Sequence, residues 1–285
     1  MATLPNPLPK LAADPSGSSL GLVLPPGSLI DVTDEGPSDE PLLWRADGPA
    51  GPGDYDTLQV ARRTAGLLPV LVDVGGDQGG LADWQLMPDE VSYPGDHDAE
   101  EVLEEFWEEC AADELFGEQA TDAEEDETIS PYGPEWPGLA PATSTERESA
   151  VDPDARAAEI ADSLTESGSW LKEPRLALVP ARRSADIPAA IGWSGAVNYE
   201  GDVARLCAVL RSWEDRFGIR VVALTFDQLV LSVAAPPTTQ AEAEAVAAEH
   251  FAFCPDNITQ GHHETLRAYA QQEVLNQQVW SFWWD

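Results

Sequence analysis

Residues 203–234 read VARLCAVLRSWEDRFGIRVVALTFDQLVLSVA, and three elements follow from them without a break. Val203, Leu206, Cys207, Leu210, Trp213 and Phe217 recur at the three-to-four spacing of one helix face. Gly218 then ends the helix, because a residue without Cβ accepts the left-handed backbone that such an ending needs. Ile219–Thr225 and Gln228–Ala234 are two runs rich in β-branched residues around Phe226-Asp227, which reads as a hairpin. A helix feeding an antiparallel pair predicts an α+β fold.

The same fold extends in both directions. Downstream, Thr239 and Glu242 form a capping-box signature behind Pro236-Pro237, and the Ala-rich helix that they open is stopped by Pro255. Thr265–Leu275 is a further helix with Leu266, Tyr269, Ala270 and Val274 inward. Val279–Trp284 is the last strand. Val279, Ser281 and Trp283 point one way, and Trp280, Phe282 and Trp284 the other. Apolar residues on both faces predict a strand interior to the sheet and covered on both sides, since exposed tryptophans there would invite aggregation. Upstream, Arg175–Pro180 is a strand, and Ser184–Ile191 a short helix with Pro188 in its first turn. Residues 174–285 therefore read as a C-terminal α+β domain, a mixed sheet with packed helices.

The first part of the chain is different in charge. Residues 1–174 carry 7 Lys/Arg against 39 Asp/Glu, a net of −32, whereas residues 175–285 carry 8 against 13, a net of −5. Residues 1–116 read as a smaller acidic α/β region. It has short strands at Gly21–Leu24 and Ser28–Val32 around the turn Pro25-Pro26-Gly27, a helix at Asp56–Gly66 and a buried strand at Leu67–Val74. Ala99–Phe116 is a helix capped by Asp98, with Val102, Leu103, Phe106, Trp107 and Cys110 on one stripe and glutamates elsewhere. Residues 117–173 are expected to be an acidic, Pro-containing linker. Such a charge balance repels nucleic acid and anionic membrane and favours a basic protein partner.

Cys110, Cys207 and Cys254 are far apart and form no CxxC pair, so neither a disulfide framework nor a standard zinc motif is indicated. Prolines stand in Met1–Lys10 where a signal peptide needs an apolar run, and no stretch approaches the length of a membrane span. A cytoplasmic location is expected.

Three segments in the C-terminal part carry a resemblance. Leu210–Gly218 (LRSWEDRFG), Ala248–Ile258 (AEHFAFCPDNI) and Trp280–Asp285 (WSFWWD) look like the bacterial family called domain of unknown function 4253, and the stretches around Trp44 and Gly66–Val70 are similar to the upstream part of its longer members. The resemblance implies no activity, cofactor or catalytic residue. By analogy with other small bacterial families, it suggests an immunity-type protein that neutralises a toxin.

Several side chains are candidates for chemistry. Glu214 falls in the middle of the apolar stripe of its helix and near the C-terminus, where the dipole disfavours a carboxylate. It should be paired with an arginine or else serve as a functional acid. His250 and Cys254, four apart on one helix, with His262 and His263 beyond Gly261, form the cluster with metal-ligand chemistry, and Glu249 and Asp256 are available as oxygen donors. Cys254 with His250 is also a weak candidate for a thiolate–imidazole pair. Against these stands the simpler reading of a buried cysteine and a hydrogen-bonded histidine. Ser169-Trp170-Leu171-Lys172 matches S-x-x-K but lacks the companion motifs. Gly75-Gly76-Asp77-Gln78-Gly79-Gly80 has neither the spacing nor the lysine of a phosphate loop. The expectation is a non-enzymatic binding module without a cofactor, contacting its partner through Trp193, Trp213, Glu214, Glu249 and Asp256. A metal-dependent or thiol hydrolase centred on Glu214, His250 and Cys254 is the alternative, and a structural or assembly component the third reading.

Overall fold

The computed structural model describes residues 5–76, 79–116, 128–142, 151–263 and 265–285. In chain order it runs α1 (Pro9–Ala13), β1 (Gly27–Ile30), β2 (Val32–Thr33), β3 (Gly36–Pro37), β4 (Leu43–Ala46), α2 (Asp54–Leu58), α3 (Val60–Ala65), β5 (Leu68–Asp73) and α4 (Ala99–Phe116). There follow α5 (Pro153–Thr165), β6 (Pro174–Val179), α6 (Ile187–Ile191), α7 (Val203–Phe217), β7 (Ile219–Leu224) and β8 (Gln228–Val233). The chain closes with α8 (Gln240–Phe253), α9 (Asp256–Thr259), α10 (Leu266–Tyr269), a π-helical turn at Ala270–Val274 and β9 (Val279–Trp283). The class is α+β.

Seven strands form one mixed sheet in the order β1-β4-β6-β5-β7-β8-β9, and β2 and β3 make a separate ribbon. All neighbours in the large sheet are antiparallel except β5 and β7, which run parallel. Every residue of β5 is buried, which fits its central position, because a strand covered on both faces needs an uninterrupted apolar run. On one face the sheet packs against α4, α6, α7, α8 and α10 through residues such as Val70, Val221, Leu231 and Phe282. On the other, Trp44, Leu71, Leu178, Val222 and Val230 meet α1, α2, α3 and α5.

This topology corrects the domain division read from the sequence. The boundary at 173/174 falls inside the sheet, because β6 inserts between β4 and β5, and β5 separates β6 from β7. The expected linker is also partly ordered structure. Asp152 Oδ1 caps α5 by accepting from the Asp154 and Ala155 amides at 2.8 and 3.3 Å, and Pro153 fills the first helical position. The helix buries Ala157, Ile160, Ala161 and Leu164. Residues 117–127 and 143–150 lie outside the described residues.

Smaller differences have local causes. Gly21–Leu24 is not a strand. The extended run at 28–32 breaks at Asp31, giving β1 and β2, and the helix expected at 56–66 begins at Asp54 and is divided at Gln59. β4, only four residues among turns, carries too short a pattern to be read. β9 is the outermost strand rather than an interior one. Trp280 and Phe282 are buried on one face, Trp284 just beyond the strand is buried as well, and Val279, Ser281 and Trp283 on the other face range from half-buried to exposed.

Candidate functional site

The α7–α8 contact is organised by a buried carboxylate. Glu249 is fully buried, and both its oxygens are occupied. Oε1 accepts from the Ala140 amide at 2.6 Å and an Arg216 nitrogen at 2.7 Å, and Oε2 accepts from Trp213 Nε1 and the other Arg216 nitrogen, each at 2.6 Å. Arg216 also donates to the Ala140 carbonyl at 2.8 Å. Trp213 and Arg216 reach one carboxylate because they stand three apart on the same helix face. A forked, fully hydrogen-bonded pair is the form in which a charge can be buried without a large penalty. Glu249 is therefore a packing element, not the ligand expected from the sequence, and it fastens the 128–142 segment to the helices.

His250 and Cys254 point into the aromatic interior beside it. The His250 ring lies 5.0, 4.6 and 4.8 Å from the ring centroids of Trp213, Trp280 and Phe282, and its Nδ1 is 3.1 Å from the Tyr269 hydroxyl. Burial, reinforced by the Arg216 charge, lowers its pKa to about 3, so it is neutral at physiological pH. The Cys254 thiol donates to the Trp283 carbonyl at 2.9 Å, and burial raises its pKa far above that of a reactive thiol. His262 is exposed, and His263 pairs with Glu273 at 2.9 Å. Among the described residues no group of three or more His, Cys, Asp or Glu side chains is placed to hold a metal ion. The thiolate–imidazole pair is not formed. Instead, Cys254 and its neighbour Asn257 hold the outer edge of β9. Asn257 Nδ2 donates to the Ser281 carbonyl at 2.7 Å and its Oδ1 accepts from the Trp283 amide at 3.2 Å, as the backbone of a further strand would. Nothing in the sequence around Asn257 signals that role.

Linkage gives the His250 environment a measurable sign. The folded-state pKa lies below the ordinary value, so between about pH 6.5 and about pH 3 the unfolded chain binds a proton that the folded chain refuses. Stability contributed by the neutral ring is complete above about pH 6.5 and falls by up to about 1.4 kcal/mol per unit below it. His250→Phe should flatten this part of the profile. Urea-denaturation curves of the two proteins at pH 7, 6, 5 and 4 should converge as the pH drops, and a constant difference between them would contradict the assignment.

Glu214 accepts from the Ala185 amide at 3.0 Å and lies between Arg183 and Arg220, each at 3.6 Å. Arg183 also holds Asp215, Arg220 holds Asp154, and nearby Arg211 forks onto Asp186. Glu214 thus belongs to a ladder of charges that ties α7 to α5, β7 and the 183–186 turn, remote in chemistry from His250 and Cys254. Trp193 and Trp213 lie in the core, 2% and 0% exposed, and offer no contact surface. Asp256 is half-buried and accepts from the Gln260 side chain and the Asp285 amide. Ser169 Oγ accepts from the Leu171 amide at 3.3 Å.

The exposed chemistry lies elsewhere, on α4 and the turns before it. The apolar stripe of α4 is buried against α7 and α8. Its opposite side, with the turns before it, presents Asp89, Glu90, Asp96, Asp98, Glu100, Glu101, Glu104, Glu105, Glu108 and Glu109, all exposed. Among the described residues, only Glu105 of these has a cation within ion-pair distance, Arg205 at 2.7 Å. Four like-charge pairs lie four apart along the helix, each destabilising by about 0.2–0.5 kcal/mol. Burial of each large apolar side chain returns about 1.5–3 kcal/mol. The helix forms because burial exceeds repulsion, and the acidic face is maintained at a cost.

Fold and site together describe an α+β protein with a sealed aromatic core and an uncompensated acidic face. Residues 175–285 match the model of a family described as a domain of unknown function (DUF4253). That segment supplies β6 to β9 but not β5, the strand between β6 and β7. No curated protein and no solved structure matches the chain. Among the described residues, no helix is long and apolar enough to cross a membrane.

Proposed function

We propose that this chain is a non-enzymatic protein-binding module whose partner is a basic protein, of the kind that an immunity-type protein meets in a cationic toxin. The observation that carries this reading is the row of exposed carboxylates from Asp89 to Glu109, of which only Glu105 has an ion-pair partner among the described residues, on a helix whose apolar side is already satisfied within the fold. Such a face accelerates encounter with a cationic surface and rejects acidic competitors. Nucleic acid and anionic membrane are repelled by the same charge.

The reading is tested by capture and reconstitution. The full-length chain, immobilised at low salt, is exposed to a lysate of its source cells, and the bound protein is identified, purified and recombined with it. A basic protein that binds with defined stoichiometry and is recovered chemically unchanged is the expected result. An acidic partner, or a partner cleaved or modified on contact, would overturn the proposal. A face held for binding also carries a stability consequence. The triple substitution E104Q/E108Q/E109Q should raise stability by on the order of 1 kcal/mol at low salt, because it removes three of the like-charge pairs. An unchanged or lower melting temperature would show that the carboxylates are not in repulsion.

A further inference from the structure

The large sheet has two outer strands, β1 and β9, and they are finished differently. Asn257 and Cys254 close the free side of β9. β1 has no such cover. The Asp47 amide donates to the Pro26 carbonyl at 2.9 Å, and Ser28 stands opposite Arg45. Bonded and non-bonded pairs alternate along an antiparallel ladder, so Ser28 exchanges its backbone bonds with Arg45. The N–H and C=O of Gly27 and Leu29 then point away from β4, and among the described residues none of these four groups meets a partner. No lysine, proline or bulge blunts this edge between Gly27 and Ile30, and its one protection is shortness.

The two faces beside the edge differ in chemistry. An apolar groove of about 500 Å³ lies at the amino end of β1, lined by Val23, Leu24, Pro26, Ala46, Leu58 and Leu176 among others. Val23 is 88% exposed. Ala46 and Leu176 belong to the sheet face that carries Trp44, and Leu29 packs on the same face. Ser28, one residue along the pleat, takes the opposite face, where its hydroxyl donates to the exposed Asp47 carboxylate at 3.0 Å. A strand laid along β1 would therefore meet apolar surface on one side and negative charge on the other.

We propose that β1 accepts a further strand, an extended segment of a partner protein in which apolar and basic residues alternate. Backbone pairing with Gly27 and Leu29 would hold the segment, and the alternation of its side chains would match the two faces. A second copy of this chain does not fit. Between Gly21 and Leu58 the carboxylates of Asp31, Asp34, Glu35, Asp39, Glu40, Asp47, Asp54 and Asp56 stand against one basic residue, Arg45, already 3.8 Å from Asp47. Two such edges brought together would set like charges opposite each other. The charge of the occupant rests on the reading of a basic partner, whereas the pairing rests on β1 alone.

Calorimetry on the full chain tests this with the octapeptide acetyl-KVKVKVKV-amide and two N-methylated forms, one methylated on every valine nitrogen and one on every lysine nitrogen. In an extended peptide these two sets of N–H groups lie on opposite edges. One equivalent of the parent peptide should bind saturably, with Kd below about 1 mM. One methylated form should bind at least about tenfold more weakly and the other within about twofold, because only one peptide edge faces β1. Leu29→Pro removes an outward N–H without touching the ladder to β4, and should weaken the parent about tenfold with near-UV circular dichroism retained. If that variant does not fold, the methylated pair decides alone. No saturable binding, or an equal response to the two methylation patterns, would overturn the proposal. An equal response accompanied by weaker binding to E104Q/E108Q/E109Q would place the peptide on the 89–109 face, which removes strand addition and leaves the basic-partner reading in force.

Discussion

Arg216→Met should cost about 3–5 kcal/mol of folding stability, the expected loss when one partner of a buried ion pair is removed. Glu249 would be left fully buried with only the Trp213 and Ala140 N–H groups to satisfy it. Against a typical total of about 5–15 kcal/mol, that loss brings the protein near the edge of folding. Adding Glu249→Gln should recover part of it, since an amide carries no charge to strand in the core, although one of its two terminal atoms can no longer accept. Urea denaturation of the single and double variants measures both effects. A loss below about 1 kcal/mol for Arg216→Met would mean that the carboxylate is reached by water.

Deletion of Trp280–Asp285 should abolish the native state. The segment removes Trp280, Phe282 and Trp284, which are 1%, 0% and 2% exposed. Phe282 stacks on Trp213 at 5.4 Å and 17°, and Trp280 packs edge-on to Trp213, Phe217 and His250. Truncating one large aromatic in a core typically costs about 3–5 kcal/mol, so the loss of three equals or exceeds an ordinary domain's whole stability. The edge of β8 would be uncovered as well, with its unpaired backbone open to association. The truncated chain should be insoluble, or compact with lost near-UV circular dichroism and enhanced dye binding. Native near-UV signal with an unchanged melting temperature would contradict this.

Local order was legible in the sequence wherever periodicity and a cap agreed. α7 runs from Val203 to Phe217 as its stripe indicates, and Gly218 ends it at φ 64°. Thr239 and Glu242 make the reciprocal capping box at the start of α8. Asp98 Oδ1 accepts from the Glu100 and Glu101 amides at the start of α4. α5 was missed although Asp152-Pro153 and the spacing of Ala157, Ile160, Ala161 and Leu164 carry the same kind of signal, because the acidic composition around it outweighed the pattern. What no local pattern encodes is the order of strands. β6 pairs with β4 and β5, more than 100 residues earlier, and that choice depends on which apolar faces meet in three dimensions. The edge position of β9 was hidden for a related reason, since its outer side is closed by the side chains of Asn257 and Cys254 rather than by a strand.

The candidate sites divided along the same line. Glu249 and His250 lie on α8 and Cys254 caps its C-terminus, which groups them in sequence, yet each is spent on packing. Glu214 was marked by its place on the stripe, and its surroundings are arginines from two other elements. The acidic face was visible as composition, but only the burial of the opposite stripe makes it a surface available to another molecule.

The rate of association between this chain and its reconstituted basic partner, followed as salt is raised, tests the central claim most directly. Electrostatic capture by the 89–109 face predicts that the association rate falls at least about tenfold between about 50 and 500 mM NaCl, with much less change in dissociation. E104Q/E108Q/E109Q should lower the rate severalfold at low salt and reduce its salt dependence. An association rate indifferent to both salt and substitution would contradict the account.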